Sequence, residues 1–171
     1  MEIVECRAED LDVLERWRPT GLTKGHAARF GRQAQGTSSF LIAWLDKAPA
    51  GTAPAGSCEV RWNGCKAPEI QEQLGRCPEI NGLQVWPEHL QSHGVGTSLV
   101  AAAEDLARRR GETQIGLGVD DDNVRAAALY LRLGYLETGC RYIDRWHYLD
   151  DAGHRHDEAD SCRFLIKRLS E

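Results

Sequence analysis

Apolar residues recur along the chain at two spacings, and each change of spacing marks a new element. Residues 2–6 open as a short strand. In residues 10–17, Leu11, Leu14 and Trp17 fall on one helical face. Pro19 and Gly21 break that helix, and residues 26–35 read as a second one stopped by Gly36. "SFLIAWLD" and "GSCEVRW" are two apolar strands, and "KAPAGTAPAG" between them is a turn-forming stretch long for a tight hairpin. Residues 63–77 read as irregular or briefly helical. Residues 79–86 form the next strand, with Ile80, Leu83 and Val85 apolar. Then the period lengthens: Leu99, Val100, Ala103, Leu106 and Ala107 make a helical stripe, with Glu104, Asp105, Arg108 and Arg109 outward and Gly111 as the stop.

Residues 114–120, "QIGLGVD", return to strand. Asp122 or Asn123 can cap a helix over 124–133, which Gly134 ends. A long strand follows over 135–148. Leu136, Cys140, Tyr142, Trp146 and Tyr148 share one parity, and Glu137, Arg141, Arg145 and His147 the other. "DDAGHRHDEAD" reads as a polar loop, and "SCRFLIKRL" closes the chain as a strand. The order β-α-α-β-β-β-α-β-α-β-β, with no internal repeat and no dividing linker, predicts one α/β domain with a mixed sheet over residues 1–171.

Charge and composition narrow the function classes. A formal net charge of −5 argues against a nucleic-acid partner, which needs clustered Lys and Arg. The basic run Arg108-Arg109-Arg110 ends a helix, where cations favour the dipole. No run approaches the roughly 18 apolar residues of a membrane span, so no membrane partner is expected. The N-terminal residues lack a basic region followed by an apolar core, which makes a cytoplasmic protein the expectation. The six cysteines show no C-x-x-C spacing and read as free thiols rather than as disulfides or a zinc site. His154 and His156 lie among acidic residues and read as a solvated cluster. No metal is expected.

One stretch is harder to explain as packing: Gln91-Ser92-His93-Gly94-Val95-Gly96, between a strand and a helix. Several main-chain N–H groups at a helix N-terminus lack a partner, and the dipole adds positive potential there. Glycine lets a ligand approach the backbone closely. The combination is an anion cradle. A P-loop would require a Gly-Lys pair, and none occurs. A dinucleotide fingerprint would need Gly or Ala at position 99, where Leu99 stands. A third pattern remains, Gln/Arg-x-x-Gly-x-Gly/Ala after a strand ending in Val-x-Pro-Glu. Here it reads Val85-Trp86-Pro87-Glu88 and then Gln91 to Gly96.

This pattern resembles the signature of the GNAT superfamily of acyl-CoA N-acyltransferases. A second motif of the family follows in "DDDNVRAAALYLRLGY", through Asn123, Ala126, Tyr130, Gly134 and Tyr135. The resemblance covers residues 79–139. It implies a mixed sheet splayed between the fourth and fifth strands, flanked by about four helices. It implies acetyl-CoA as cofactor: main-chain groups of Leu83 and Val85 at the acyl end, with the Val85 amide polarising the thioester carbonyl. The amides of Gln91, Ser92, His93, Gly94, Val95, Gly96 and Thr97 would hold the pyrophosphate, and Asn123 and Ala126 would lie along the cofactor arm. Tyr130 would protonate the departing sulfur. Glu79 is the carboxylate on the relevant strand that could take the amine proton. Asn81, nearer the chemistry, cannot serve as a base, and Glu59 and His147 are other candidates.

The reaction implied is acetyl transfer to a primary amine of a small molecule or peptide. Trp17 to His26, the strand around Glu59 to Trp62, and the Tyr142 to His156 region would wall the acceptor. The acidic balance suits a cationic acceptor such as a polyamine, an aminoglycoside-like compound or a lysine side chain. Two alternatives stand beside this reading: a CoA-binding sensor without turnover, and a transferase using another acyl donor. The resemblance also implies a homodimer as one assembly.

Overall fold

Phe40, Ile42 and Trp44 alternate with Leu41 and Ala43 along one strand, and both sets are buried. The first set packs with Leu14 and Trp86, the second with Leu99 and Val100. Alternate side chains leave a strand on opposite faces, so this strand is covered on both sides and the sheet must lie between two layers.

The computed structural model describes residues 1–47 and 51–169. The elements run β1 (Glu2–Glu5), α1 (Leu11–Trp17), α2 (Gly25–Ala34), β2 (Ser38–Lys47), β3 (Gly51–Arg61), α3 (Pro68–Leu74), β4 (Glu79–Val85), α4 (Val95–Arg109), β5 (Gln114–Asp120), α5 (Val124–Arg132), β6 (Leu136–Leu149) and β7 (Arg155–Arg168). The strands form one seven-stranded sheet in the order β1-β2-β3-β4-β5-β7-β6. Every pairing is antiparallel except β4 with β5. Residues of α4 and α5 fill the core on one face, and α1 and α2 cover part of the other. Leu165 joins the first core. Its neighbour Phe164 faces the opposite way, into a cluster with Ile70 of α3 and Tyr142 of β6.

The mixed α/β sheet agrees with the sequence reading; several details do not. Among the described residues five α-helices flank the sheet, the brief helix read within 63–77 being α3, started by Pro68 at its first turn. The stretch "KAPAGTAPAG" is strand from Gly51 on, paired with β2 through Ala53↔Leu45 and Pro54↔Trp44. Its residues 48–50 lie outside the described residues. The acidic stretch after Leu149 is a loop only as far as His154, and from Arg155 it pairs with β6. The unbroken polar run from Arg155 to Glu158 hid the strand. The parity of β6 also changes at a register shift between Glu137 and Arg141. Leu136 is therefore exposed although Cys140 and Tyr142 are buried. Trp17, expected to pack, is 52% exposed.

Glu104 departs most clearly from its expected place. It was expected outward on α4 and is buried, with Lys167 Nζ of β7 at 2.9 and 2.8 Å from its two carboxylate oxygens. Helical periodicity put it beside Asp105; the lysine that draws it inward is far along the chain.

Candidate active site

The parallel pair β4–β5 is short. Only Glu79↔Gly116 and Ile80↔Leu117 are in register, and from Asn81 onward β4 has no partner on that side. On its other side β4 continues along β3, with a register shift between Ser57 and Glu59 that sets Gly82 and Leu83 of β4 against Cys58 alone. Such a bulge turns the strand away from its neighbour. Trp86 N–H then donates to Ala55 C=O of β3 at 3.0 Å. Main-chain N–H groups alternate in direction along an antiparallel strand, so Val85 N–H points into the opening.

A cavity of about 650 Å³ occupies that opening. Leu83 and Val85 wall it from β4, Gly94, Gly96 and Thr97 from the start of α4, and Asn123, Ala126, Leu129 and Tyr130 from α5. The first main-chain bond of α4 runs from Ser98 N–H to Gly94 C=O at 2.9 Å, so the N–H groups of residues 94–97 stand ahead of the helical ladder. Gly94 caps the helix at φ 88°, a left-handed conformation that glycine adopts without strain. A Cβ on Gly96 would meet Val85 Cγ2 at 3.6 Å and Leu129 Cδ2 at 3.8 Å, filling space at the cavity wall. Gln91 and Ser92 are held from α5: Arg125 donates to Gln91 Oε1 at 2.9 Å and to Ser92 Oγ at 2.6 Å.

Two of the expected positions bring no side chain to the cavity, their expected role resting on main-chain amides. His93 is exposed but does not line the cavity, and the Val95 side chain is 3% exposed, in the core. Asn123 caps α5, accepting from Ala126 N–H at 3.0 Å, while also lining the cavity. Tyr130 is buried against Tyr135, ring centroids 6.1 Å apart, and burial pushes its hydroxyl pKa up to about 12. That hydroxyl stays protonated and can donate.

A second, larger cavity of about 1060 Å³ lies across β4. Glu79, Asn81, Gly82 and Gln84 line it from the strand, where Leu83 and Val85 line the first. Arg18 to His26 wall one side and Ile143 to Tyr148 another, as expected; residues 65–69 were not foreseen. Glu79 is 1% exposed, and burial raises its carboxyl pKa despite Arg61 Nη1 at 3.5 Å. Glu59 does not reach the cavity. Burial pushes its carboxyl up, but the forked hydrogen bonds from Arg32, at 2.6 and 2.8 Å, together with Ser38 and the charges of Arg32 and Arg61, hold it below the usual range. His147 lines the cavity from β6. The carboxylates near the end of β6 are engaged: Asp150 accepts from His156 at 2.9 Å and Asp160 from Trp146 Nε1 at 2.6 Å.

The sequence reading missed Arg125 and Arg132 of the first cavity and Arg29 of the second. Arg125 carried a signal. A cation in the first turn of a helix opposes the dipole, and one placed there answers to something else nearby.

The sequence model of the acetyltransferase (GNAT) family matches residues 7–135. The chain belongs to the GNAT acetyltransferase family. Its fold is shared with solved members at low identity. The ribosomal-protein-S18-alanine N-acetyltransferase of Escherichia coli is 18% identical with a TM-score of 0.62, covering 99% of this chain and 94% of that one. An acetyltransferase of Salmonella typhimurium, described with its cofactor acetyl-CoA, is 17% identical with a TM-score of 0.64, over 100% and 95%. A nourseothricin acetyltransferase is 24% identical with a TM-score of 0.56, over 80% and 68%. GNAT acetyltransferases draw their acyl group from acetyl-CoA, and the glycine-walled cavity, with its free amides and cations, suits a phosphate-bearing donor.

Proposed function

We propose that this protein transfers an acetyl group from acetyl-CoA directly to a primary amine of a small molecule or peptide, with donor and acceptor bound together. One observation carries the reading. Where the sheet opens, β4 stands between two cavities, with Leu83 and Val85 facing one and Glu79, Asn81 and Gln84 the other.

When bound, acetyl-CoA supplies an activated thioester. The chain's own groups would do the rest. The amides of residues 94–97, with Arg125 and Arg132 nearby, bind the anionic end. Val85 N–H supplies a hydrogen bond to a developing oxyanion. An alkyl amine with a pKa of about 10.4 is unprotonated on the order of one part in a thousand near pH 7, so an acceptor for its proton matters. Glu79, with its raised pKa, takes that proton through water. Tyr130 Oη keeps a proton that it offers to the departing sulfur.

CoA release with a panel of primary amines, followed by a thiol reagent, tests this. The expected result is amine-dependent release and an N-acetylated product. Tight acetyl-CoA binding without release on any amine would overturn it in favour of a sensor.

A further inference from the structure

The chain is acidic, but its acceptor-side cavity is not. Arg18, Arg29, Arg32, Arg61, Lys66 and Arg145 line it, against Glu69, Glu79 and Asp144. Two of these cations are already matched. Arg32 forks onto the buried Glu59 at 2.6 Å, and Arg61 lies between Glu59 at 3.6 Å and Glu79 at 3.5 Å. Arg18, Lys66 and Arg145 are exposed at the rim. Arg29 is different. It is half-buried on α2, and among the described residues it makes no ion pair and no hydrogen bond. Its guanidinium carbon sits 5.7 Å from the centre of the Phe40 ring.

Burial disfavours this guanidinium, the charge of Glu59 helps it only at a distance, and its five N–H donors call for acceptors. The strand beside it is shaped to admit it. Gly82 adopts φ 60° in the β4 bulge, and a Cβ there would run into Arg29 Nη2. A bare backbone thus leaves the fork of Arg29 against Gly82 of β4, in the cavity that Glu79 also lines. β6 brings the partly exposed rings of Trp146 and Tyr148 to the same cavity.

Resting on the acetyltransfer reading above, we propose that the acceptor is an amine that also carries a carboxylate, and that Arg29 binds this carboxylate and so selects the substrate. The planar fork matches a carboxylate with two parallel hydrogen bonds. The aromatic wall then covers the acceptor's apolar body. The cationic acceptor suggested by the net charge would instead meet the unmatched Arg29 and the basic rim.

The test compares matched acceptors: phenylalanine and shorter and longer amino acids, their carboxamides, the amines lacking the carboxylate, and spermidine. Amidation lowers the amine's own pKa and frees more base, which works against the expected order. The carboxylate forms should nevertheless show kcat/KM on the order of tenfold to a hundredfold above their carboxamides. In folded Arg29→Gln that ratio should collapse toward one, mainly through KM of the carboxylate acceptor. Arg29→Lys should keep part of it, and serves if the glutamine variant fails to fold. Equal or better use of carboxamides or spermidine by the wild type would overturn the proposal, as would an unchanged ratio in Arg29→Gln. Absence of release from every amine would contradict the acetyltransfer reading instead. Calorimetric titration of phenylalanine into wild type and Arg29→Gln would then still decide whether Arg29 holds a carboxylate, by tenfold or greater weakening in the variant or by none.

Discussion

Glu79 and Tyr130 share a physical device, burial, with opposite uses. Burial raises the Glu79 carboxyl, which makes it a better base and delays its ionisation. A base acts only when unprotonated, so kcat should climb with pH through this raised pKa. The acid limb should therefore lie above the ordinary carboxylate value of about 4.3. Glu79→Gln should lose that limb and lower kcat on the order of a hundredfold; a pH–rate profile at saturating acceptor reads both, and a limb that survives in the variant would assign it to another group. Tyr130 is the proton holder, its pKa pushed up to about 12. Tyr130→Phe keeps the ring against Tyr135 and removes one hydroxyl. A thiolate leaves with little help, so kcat should fall by only about tenfold to a hundredfold, roughly 1.4–2.7 kcal/mol, with acetyl-CoA affinity within a few-fold. Equal kcat under chemistry-limited conditions would make Tyr130 a packing residue. Tyr130 was named in the sequence by a motif spacing and Glu79 as the carboxylate on its strand, and the structure puts each at a cavity wall. Arg29 was not: its meaning depends on what fails to pair with it, and no linear pattern records an absent partner.

At the scale of elements, the strands and helices around β4 were readable because period and punctuation agreed: β5 and the course of α5 follow their apolar residues closely. What the sequence could not show was set by distant contacts. Glu104 is the plainest case. Its side chain turns inward because Lys167 of β7 reaches it, and Lys167 also lies 5.7 Å above the Tyr135 ring. Removing Lys167 leaves the buried Glu104 carboxylate with Arg108 alone, at 3.5 Å. Lys167→Met should therefore destabilise the fold by about 3 kcal/mol, while Glu104→Leu with Lys167→Met should regain most of the loss. Denaturant unfolding of the three proteins measures this. Additive losses in the double variant would show that the two side chains are not coupled. The same contact ties α4 to β7, and it is α4 whose N-terminus lines the donor-side cavity.

Over the whole molecule, charge and thiol chemistry point away from what composition alone suggests. The net charge of −5 is distributed outside the acceptor-side cavity, whose lining is basic. Field at a site follows local charge, not the sum. Among the thiols, Cys58, Cys65 and Cys77 are buried, with pKa pushed up to about 12, 11 and 12 by burial. They hold little thiolate near neutral pH and make poor nucleophiles. An acetyl-enzyme on these groups is therefore disfavoured, and β4, set between two cavities, favours direct transfer. The most direct test varies acetyl-CoA and an accepted amine together and records initial rates. Intersecting double-reciprocal lines, with no acetylated protein detected by mass spectrometry, are the expected result. Parallel lines with an isolable acetyl-enzyme would contradict it, because they would place the acetyl group on the protein before the amine binds.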